Sequence, residues 1–260
     1  EVAMSAFDYG DLVLLIDSKD RRYLITLSPG EEFHTHSGYL SHSDLVELND
    51  GGYVKLSSGK TYLAVRPTMS DVILKMPRGA QIIYPKDIGH ILLAADIYPG
   101  VKVLESGIGS GALSIAMLRA GAEITGYELR EDFANRAEKN VVNFFGVEML
   151  TRYKVTIKDI YDGISDRGFE RVVLDLPEPW KVVPHLDSSL IPGGIIVAYT
   201  PSITQATKFR ESLKSSEFVM QETFEVSRRG WHIEGLAVRP EHRMVGHTGF
   251  ITHARYIKEA

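Results

Sequence analysis

Three glycines, Gly107, Gly109 and Gly111, follow an apolar run at 101–104 that ends on an acid, Glu105, and they lead into a helix-competent stretch at 112–118. A second apolar run then closes on Tyr127-Glu128. Glycines at this spacing let a backbone turn sharply and let a ligand approach it closely. An acid ending the next strand, about 20 residues on, is placed to accept hydrogen bonds from ribose hydroxyls. These residues describe a site for a nucleoside cofactor.

Two cofactors compete for it. Gly107-x-Gly109-x-x-Ala112 formally satisfies the dinucleotide fingerprint. Glu105, however, stands just ahead of the glycines, where it would meet a pyrophosphate with the wrong charge. S-adenosylmethionine carries no phosphate, and its ammonium is a group that such an acid can help hold. The methyl donor is therefore favoured over NAD.

Further carboxylates follow apolar runs downstream, Asp159 after 153–157 and Asp175 after 172–174, with Pro177 stiffening the next turn. Carboxylates accept charge-assisted hydrogen bonds. Glu128 suits the ribose, and Asp159 suits an exocyclic adenine amine. Asp175 suits chemistry, because it can accept from a target amine and so orient the neighbouring ring nitrogen towards a methyl group. A ring nitrogen attacks with its own lone pair, so catalysis reduces to positioning and electrostatics.

These acids need strands and helices in alternation to bring them together. From Pro85 onward the pattern supplies them: a helix at 86–96, strands at 101–104 and towards Glu128, and a helix at 131–145. Strands follow at 153–157, 171–175 and 194–199, with helical stretches near 180–190 and 202–213 and extended runs at 218–226 and 250–257. Such alternation implies a mostly parallel sheet with helices on both faces, and ligands beyond the carboxyl ends of its strands. The first part differs. Short alternating runs at 12–16, 23–27, 53–56 and 61–65, broken by turn residues, indicate a small antiparallel β unit. The expected division is an N-terminal β domain at 1–66, a linker at 67–84 and a catalytic domain at 85–260.

With 260 residues, the chain has room for one sizeable α/β domain and a small appendage. It contains no cysteine, which removes disulfides and thiolate metal sites. His34, His36 and His42 lack carboxylates at ligand spacing, so no metal is expected. No apolar run reaches membrane-span length and no signal pattern opens the chain, so a soluble, cytoplasmic protein is expected. The net charge of −5 offers little to nucleic acid except in one cluster, where Arg228, Arg229, Arg239 and Arg243 surround Trp231, His232 and His242. Ordinary solvated arginines explain that cluster equally well. Trp180 and Trp231 read as packing or surface aromatics, and Tyr84 before Pro85 reads as a packing residue at a helix start.

The strings Gln81-Ile-Ile-Tyr-Pro-Lys-Asp87, Val103-Leu-Glu-Ser-Gly-Ile-Gly-Ser-Gly-Ala-Leu113, Asp175-Leu-Pro177, Val197-Ala-Tyr-Thr-Pro201 and His247-Thr-Gly-Phe250 together resemble the tRNA adenine-N1 methyltransferases, in an archaeal form. His34-Thr35, Gly38, Asp44-Leu45 and Arg66-Pro67-Thr68 fit that family's small β domain, so the resemblance spans nearly the whole chain. It implies an α/β fold of class I, a Rossmann-like, doubly wound methyltransferase sheet, with S-adenosylmethionine in the crevice. It implies cofactor contacts from Gly107, Gly109, Ser110, Gly111, Ala112, Glu128 and Asp159, alongside Glu105 and Asp175. Asp175 becomes the catalytic carboxylate, and Tyr84 and Tyr199 lie near the target base. The implied substrate is the T-loop adenine at position 58 of tRNA, with position 57 a further candidate, presented as a flipped base. A homotetramer, and no membrane or DNA partner, complete the expectation. Ser106 and Ile108 depart from the family's usual residues, and Phe133 replaces a polar residue near the adenosine. The competing readings are methylation of a protein or small molecule, and a non-catalytic tRNA-binding subunit. The complete set of glycines and acids argues against the latter.

Overall fold

A computed structural model describes residues 6–79 and 81–258. Backbone contacts divide them into two compact units, one comprising residues up to 77 with 139–148, the other 78–138 with 149 onward.

The first unit begins with β1 (Leu12–Ile16), β2 (Arg22–Thr26), β3 (Glu32–Thr35), β4 (Gly38–Ser41), β5 (Gly52–Lys55) and β6 (Thr61–Val65). Four of these form an antiparallel sheet in the order β2-β1-β6-β5, and β3 and β4 pair as a separate hairpin. Alternation explains the burial, since Tyr62 and Ala64 of β6 point into the same core as Val13 and Leu15 of β1. Tyr23, Phe33 and Tyr62 pack as an aromatic group with ring centroids 5.3 to 6.4 Å apart. Within residues 67–84, Met69–Lys75 form helix α1, started by a reciprocal capping box between Thr68 and Asp71.

The second unit runs α2 (Pro85–Ala94), β7 (Lys102–Ser106), α3 (Ala112–Arg119), β8 (Glu123–Glu128), the first half of α4 (Glu131–Phe145, whose residues from 139 belong to the first unit), β9 (Tyr153–Ile157), β10 (Phe169–Leu174) and β11 (Leu190–Thr200). It ends with α5 (Ile203–Lys214), β12 (Phe218–Phe224), β13 (Trp231–Glu234), β14 (Ala237–Pro240) and β15 (Phe250–Tyr256). Seven strands form one sheet in the order β9-β8-β7-β10-β11-β15-β12. The run from β9 to β11 is parallel, and β15 is antiparallel to both of its neighbours. Strands covered on both faces read as continuous apolar runs, as Val172-Val173-Leu174 and Ile196-Val197-Ala198 do.

Three expectations need correction. Residues 180–190 form two short 3-10 turns, Pro179–Lys181 and Val183–His185, because Pro184 lacks the amide that would join them into one α-helix. The last parallel strand starts at Leu190 and not at 194, with a register shift opposite Phe169 and Arg171 around Pro192-Gly193-Gly194. Glu105 does not end its strand but lies within β7, which continues through Ser106. The exposed β13–β14 hairpin was not anticipated.

Candidate functional site

The strand order reverses between β7 and β10, and the crevice outside the carboxyl ends of the strands at such a point is where α/β sheets bind ligands. Two sequence-distant segments meet there. Asp175 follows β10, and its amide donates to the Ser106 carbonyl at 2.9 Å. Gly107 follows β7 with φ +83°, and a Cβ on it would lie 1.9 Å from the Asp175 carbonyl oxygen. No other residue type fits so close to a backbone in that conformation. The glycine at 107 thus sets Asp175 against the glycine turn.

Glu128 ends β8 and reaches back to the same turn. Its Oε2 accepts from the Gly109 amide at 3.3 Å and its Oε1 from the Arg130 amide at 3.0 Å. Glu105 is 1% exposed, and its Oε2 accepts from Ser114 Oγ at 2.7 Å, which in turn accepts from Tyr153 Oη at 3.1 Å. Ser110 and Ala112 are buried at the entrance to α3.

Burial pushes the Glu105 carboxyl up to about 8; the Ser114 hydrogen bond opposes this, while the charges of Asp175 and Glu128 add to it. Asp175 is pushed up to about 7 by desolvation first and by Glu128 second. The charges acting on both groups are therefore those of other carboxylates. Protons relieve the repulsion in the free protein, and a cation can do the same. A donor set of three acids and backbone amides suits a ligand with an ammonium, a sulfonium and a ribose diol. It repels a pyrophosphate. The residues fit S-adenosylmethionine and oppose NAD.

Tyr199, near the end of β11, is 8% exposed, and its hydroxyl is pushed up to about 12 by burial first, with the charges of Asp87 and Asp175 contributing. Its Oη approaches Asp87 Oδ2 at 3.5 Å. Tyr84 is half-buried at the N-cap of α2, and its carbonyl accepts from the Asp87 amide at 2.9 Å.

Not every expected residue joins this group directly. Asp159 caps its own 3-10 turn by accepting from the Tyr161 amide at 2.9 Å, although the Lys158 amide ties that strand end to the Glu128 carbonyl at 3.0 Å. Phe133, partly buried at the start of α4, lies under the Arg130 guanidinium, 3.8 Å from the ring centroid. Of the N-terminal histidines, His34 pairs with Glu32 at 3.0 Å and His42 accepts from the Ser28 amide at 3.0 Å. Among the described residues no group of three or more His, Cys, Asp or Glu is placed to hold a metal. Trp180 packs against the main core and Trp231 is exposed on the hairpin.

Lys86, Asp87 and Thr248 lie in strings that carry the resemblance, but sequence reasoning gave them no role; Asp87 and Thr248 meet Tyr199, and Lys86 bonds to both of them. Asp87 in the first turn of α2 looks like an ordinary acid at a helix N-terminus, and Lys86 beside it looks like a surface charge. Nothing local marks them as buried.

The chain is similar to known methyltransferases. Residues 61–236 match the family model described as the tRNA methyltransferase complex GCD14 subunit, and residues 6–54 match a TrmI-like N-terminal model. The chain is 34% identical to the tRNA (adenine(58)-N(1))-methyltransferase TrmI of Thermus thermophilus, over 94% of this chain and 96% of that protein. It is 35% identical to the tRNA (adenine(57)-N(1)/adenine(58)-N(1))-methyltransferase TrmI of Methanocaldococcus jannaschii, over 93% and 94% of the two chains. Among solved structures, a SAM-dependent O-methyltransferase from Thermotoga maritima superposes with a TM-score of 0.91 at 29% identity, covering 100% of this chain and 97% of that one. The tRNA (m1A58) methyltransferase TrmI of Aquifex aeolicus superposes at 0.82 with 27% identity, covering 98% and 100%.

Proposed function

This chain belongs to the GCD14/TrmI family of tRNA methyltransferases, and from that premise we propose that it methylates N1 of adenine 58 in the T-loop of tRNA, using S-adenosylmethionine. The observation that carries the reading is the meeting of Asp175 with the glycine turn across the reversal in strand order. Glu105, Glu128, the amides of 107–112 and Asp159 hold the cofactor, with Phe133 at the adenosine end. Bound S-adenosylmethionine supplies an electrophilic methyl group on a sulfonium.

Asp175 accepts a hydrogen bond from the exocyclic amine of the target adenine, which turns N1 and its lone pair towards the methyl group. Positive charge then develops on the ring, and a carboxylate fixed against the amine stabilises it without reorganising. A carboxyl pushed up to about 7 is partly protonated near neutrality, and the cationic charge of the loaded site returns it to the ionised form that accepts. Tyr199 and Tyr84 flank the flipped base, for which aromatic faces are suitable stacking surfaces.

In this reading residues 85–260 carry the chemistry and residues 1–66 serve the RNA. A homotetramer would assemble a tRNA surface that one acidic monomer lacks, and Trp231, Ile233, Leu236 and Val238 leave the β13–β14 hairpin with an exposed apolar surface beside Arg239. Among the described residues no helix is long and apolar enough to cross a membrane. We place the activity in the cytoplasm, where tRNA is matured. Whether position 57 is also methylated is a matter of base positioning within the same site.

One observation favours a second reading. A carboxyl near 7 also suits a general base for a hydroxyl, and the neighbour from Thermotoga maritima is titled an O-methyltransferase. The deciding experiment is incubation with S-adenosylmethionine and an unmodified tRNA transcript, followed by nuclease digestion and mass spectrometry. N1-methyladenosine in the T-loop is expected. A 2′-O-methyl nucleoside, or methyl transfer only to protein or small molecules, overturns the assignment.

A further inference from the structure

Lys86 is one residue after the proline that starts α2, yet its side chain is 11% exposed, and Asp87 next to it is 0% exposed. An ammonium has three donors. Lys86 Nζ directs them to Asp87 Oδ1 at 2.9 Å, to the Val226 carbonyl at 2.6 Å and to Thr248 Oγ1 at 2.6 Å. Asp87 uses its other oxygen to accept from Thr248 Oγ1 at 2.7 Å and to face Tyr199 Oη at 3.5 Å.

Val226 and Thr248 are not arbitrary partners. They bracket residues 227–247, which are exposed apart from half-buried His232 and Pro240, and which carry Arg228, Arg229, Arg239 and Arg243. The ends of this segment are thus gathered on one ammonium. The chain then passes Gly249, where a Cβ would lie 2.3 Å from Tyr199 Cζ, so the same anchor presses the returning strand against the tyrosine ring. His247 adds a tie at the rim, with Nδ1 facing Glu225 Oε2 at 3.2 Å and Nε2 facing the Pro201 carbonyl at 2.8 Å. A buried ion pair is a poor source of stability compared with apolar packing of the same volume, but its directional bonds fix one arrangement among several.

We propose that Lys86 and Asp87 form a latch that closes the base of the arginine-bearing segment and holds it in register with Tyr199. The proposal rests on the tRNA reading above. Lys86 and Asp87 are positioning residues, acting through the segment and through Tyr199, and the latch governs tRNA engagement while leaving the cofactor site alone.

The test compares wild type with K86M/D87N, which removes both charges together, and with the milder T248V, which keeps the ion pair and cuts the two bonds of the Thr248 hydroxyl. Native trypsin cleavage after Arg228, Arg229 and Arg243 is timed by mass spectrometry, the bond after Arg239 being protected by Pro240. S-adenosylmethionine affinity is measured by calorimetry, and KM and kcat with a tRNA transcript. For the double variant, cleavage at these arginines is expected to be at least about ten-fold faster without comparable change elsewhere in the chain. The KM for tRNA should rise about ten-fold, with cofactor affinity within about two-fold. T248V should fall between wild type and the double variant. Unchanged cleavage at these three arginines in both variants overturns the latch. So does faster cleavage throughout the chain together with lost cofactor affinity, which marks general destabilisation. If wild type fails to methylate tRNA, the functional reading falls, while the proteolysis still decides the latch.

Discussion

Two buried carboxylate sites lie at the carboxyl end of the sheet, and they are built on opposite principles. Around the glycine turn, Glu105 and Asp175 face other acids, and both are pushed upward, to about 8 and about 7. At the start of α2, Asp87 is as buried as Glu105, while Asp175 is half-buried, but Asp87 is met by an ammonium and a hydroxyl, with a second hydroxyl nearby. An uncompensated acid is a site awaiting a cation. A compensated acid is a fastening. The same residue type therefore does two jobs, and the charge of its neighbours separates them.

That contrast can be broken most sharply by removing charge from each site in turn. Asp87→Asn leaves Lys86 buried without its counter-ion and should cost about 3–5 kcal/mol of stability, read by denaturant unfolding. Glu105→Gln removes an acid that other acids oppose, and should cost far less or stabilise the ligand-free protein. Equal losses in the two variants would erase the distinction.

Asp175→Ala should lower the methyl-transfer rate by about 10²–10³-fold in single-turnover assays, the loss expected for one fixed electrostatic group. Binding of S-adenosylmethionine should change by no more than a few-fold, and the fold should remain intact. Full activity in this variant would remove Asp175 from the mechanism.

The pH dependence is smaller but its sign is diagnostic. A carboxyl raised on folding contributes stability that is present below its unfolded value and is lost as pH rises through its folded value. For Glu105 that window runs from 4.5 to about 8, and for Asp175 from 3.8 to about 7. The melting temperature of ligand-free protein should therefore carry a downward contribution as pH rises from 6 to 8, and Glu105→Gln should flatten the slope. Cofactor affinity should run the other way and rise with pH, with protons released on binding, as calorimetry in buffers of different ionisation enthalpy will show. A flat affinity profile would mean that these acids do not meet the cofactor's charge.

The smallest effect belongs to His247. The Pro201 carbonyl first, and Glu225 second, hold its imidazole above the usual range, against the opposing charge of Lys86. Its tie is complete when protonated and is lost as pH rises through the folded value. Trypsin cleavage of 227–247 should quicken slightly over that range, and His247→Phe should remove the dependence.

Much of the cofactor half was legible beforehand because its signals are local. Gly107 must be glycine for its own backbone and for Asp175, and the acids there stand beside apolar runs whose period announces strands. Misreadings arose both from local signals passed over and from pairings set elsewhere in the sheet. Pro184 splits a stretch that composition alone allowed as helix, the bulge at 192–194 lengthens β11, and β13 and β14 pair only with each other. The capping box at Thr68 and Asp71 is readable in the sequence and marks the start of α1 within residues 67–84.

The sequence by itself determined a mostly parallel α/β sheet, its glycine turn and the identity of the acids, because strand period, turn chemistry and residue type act over a few neighbours. Only the tertiary structure decided which acids are opposed by like charge and which are fastened. The partners of Asp87 come from the far ends of the chain, 161 positions away at Thr248 and 112 at Tyr199. Charge compensation depends on distance in space, and the fold alone sets that distance.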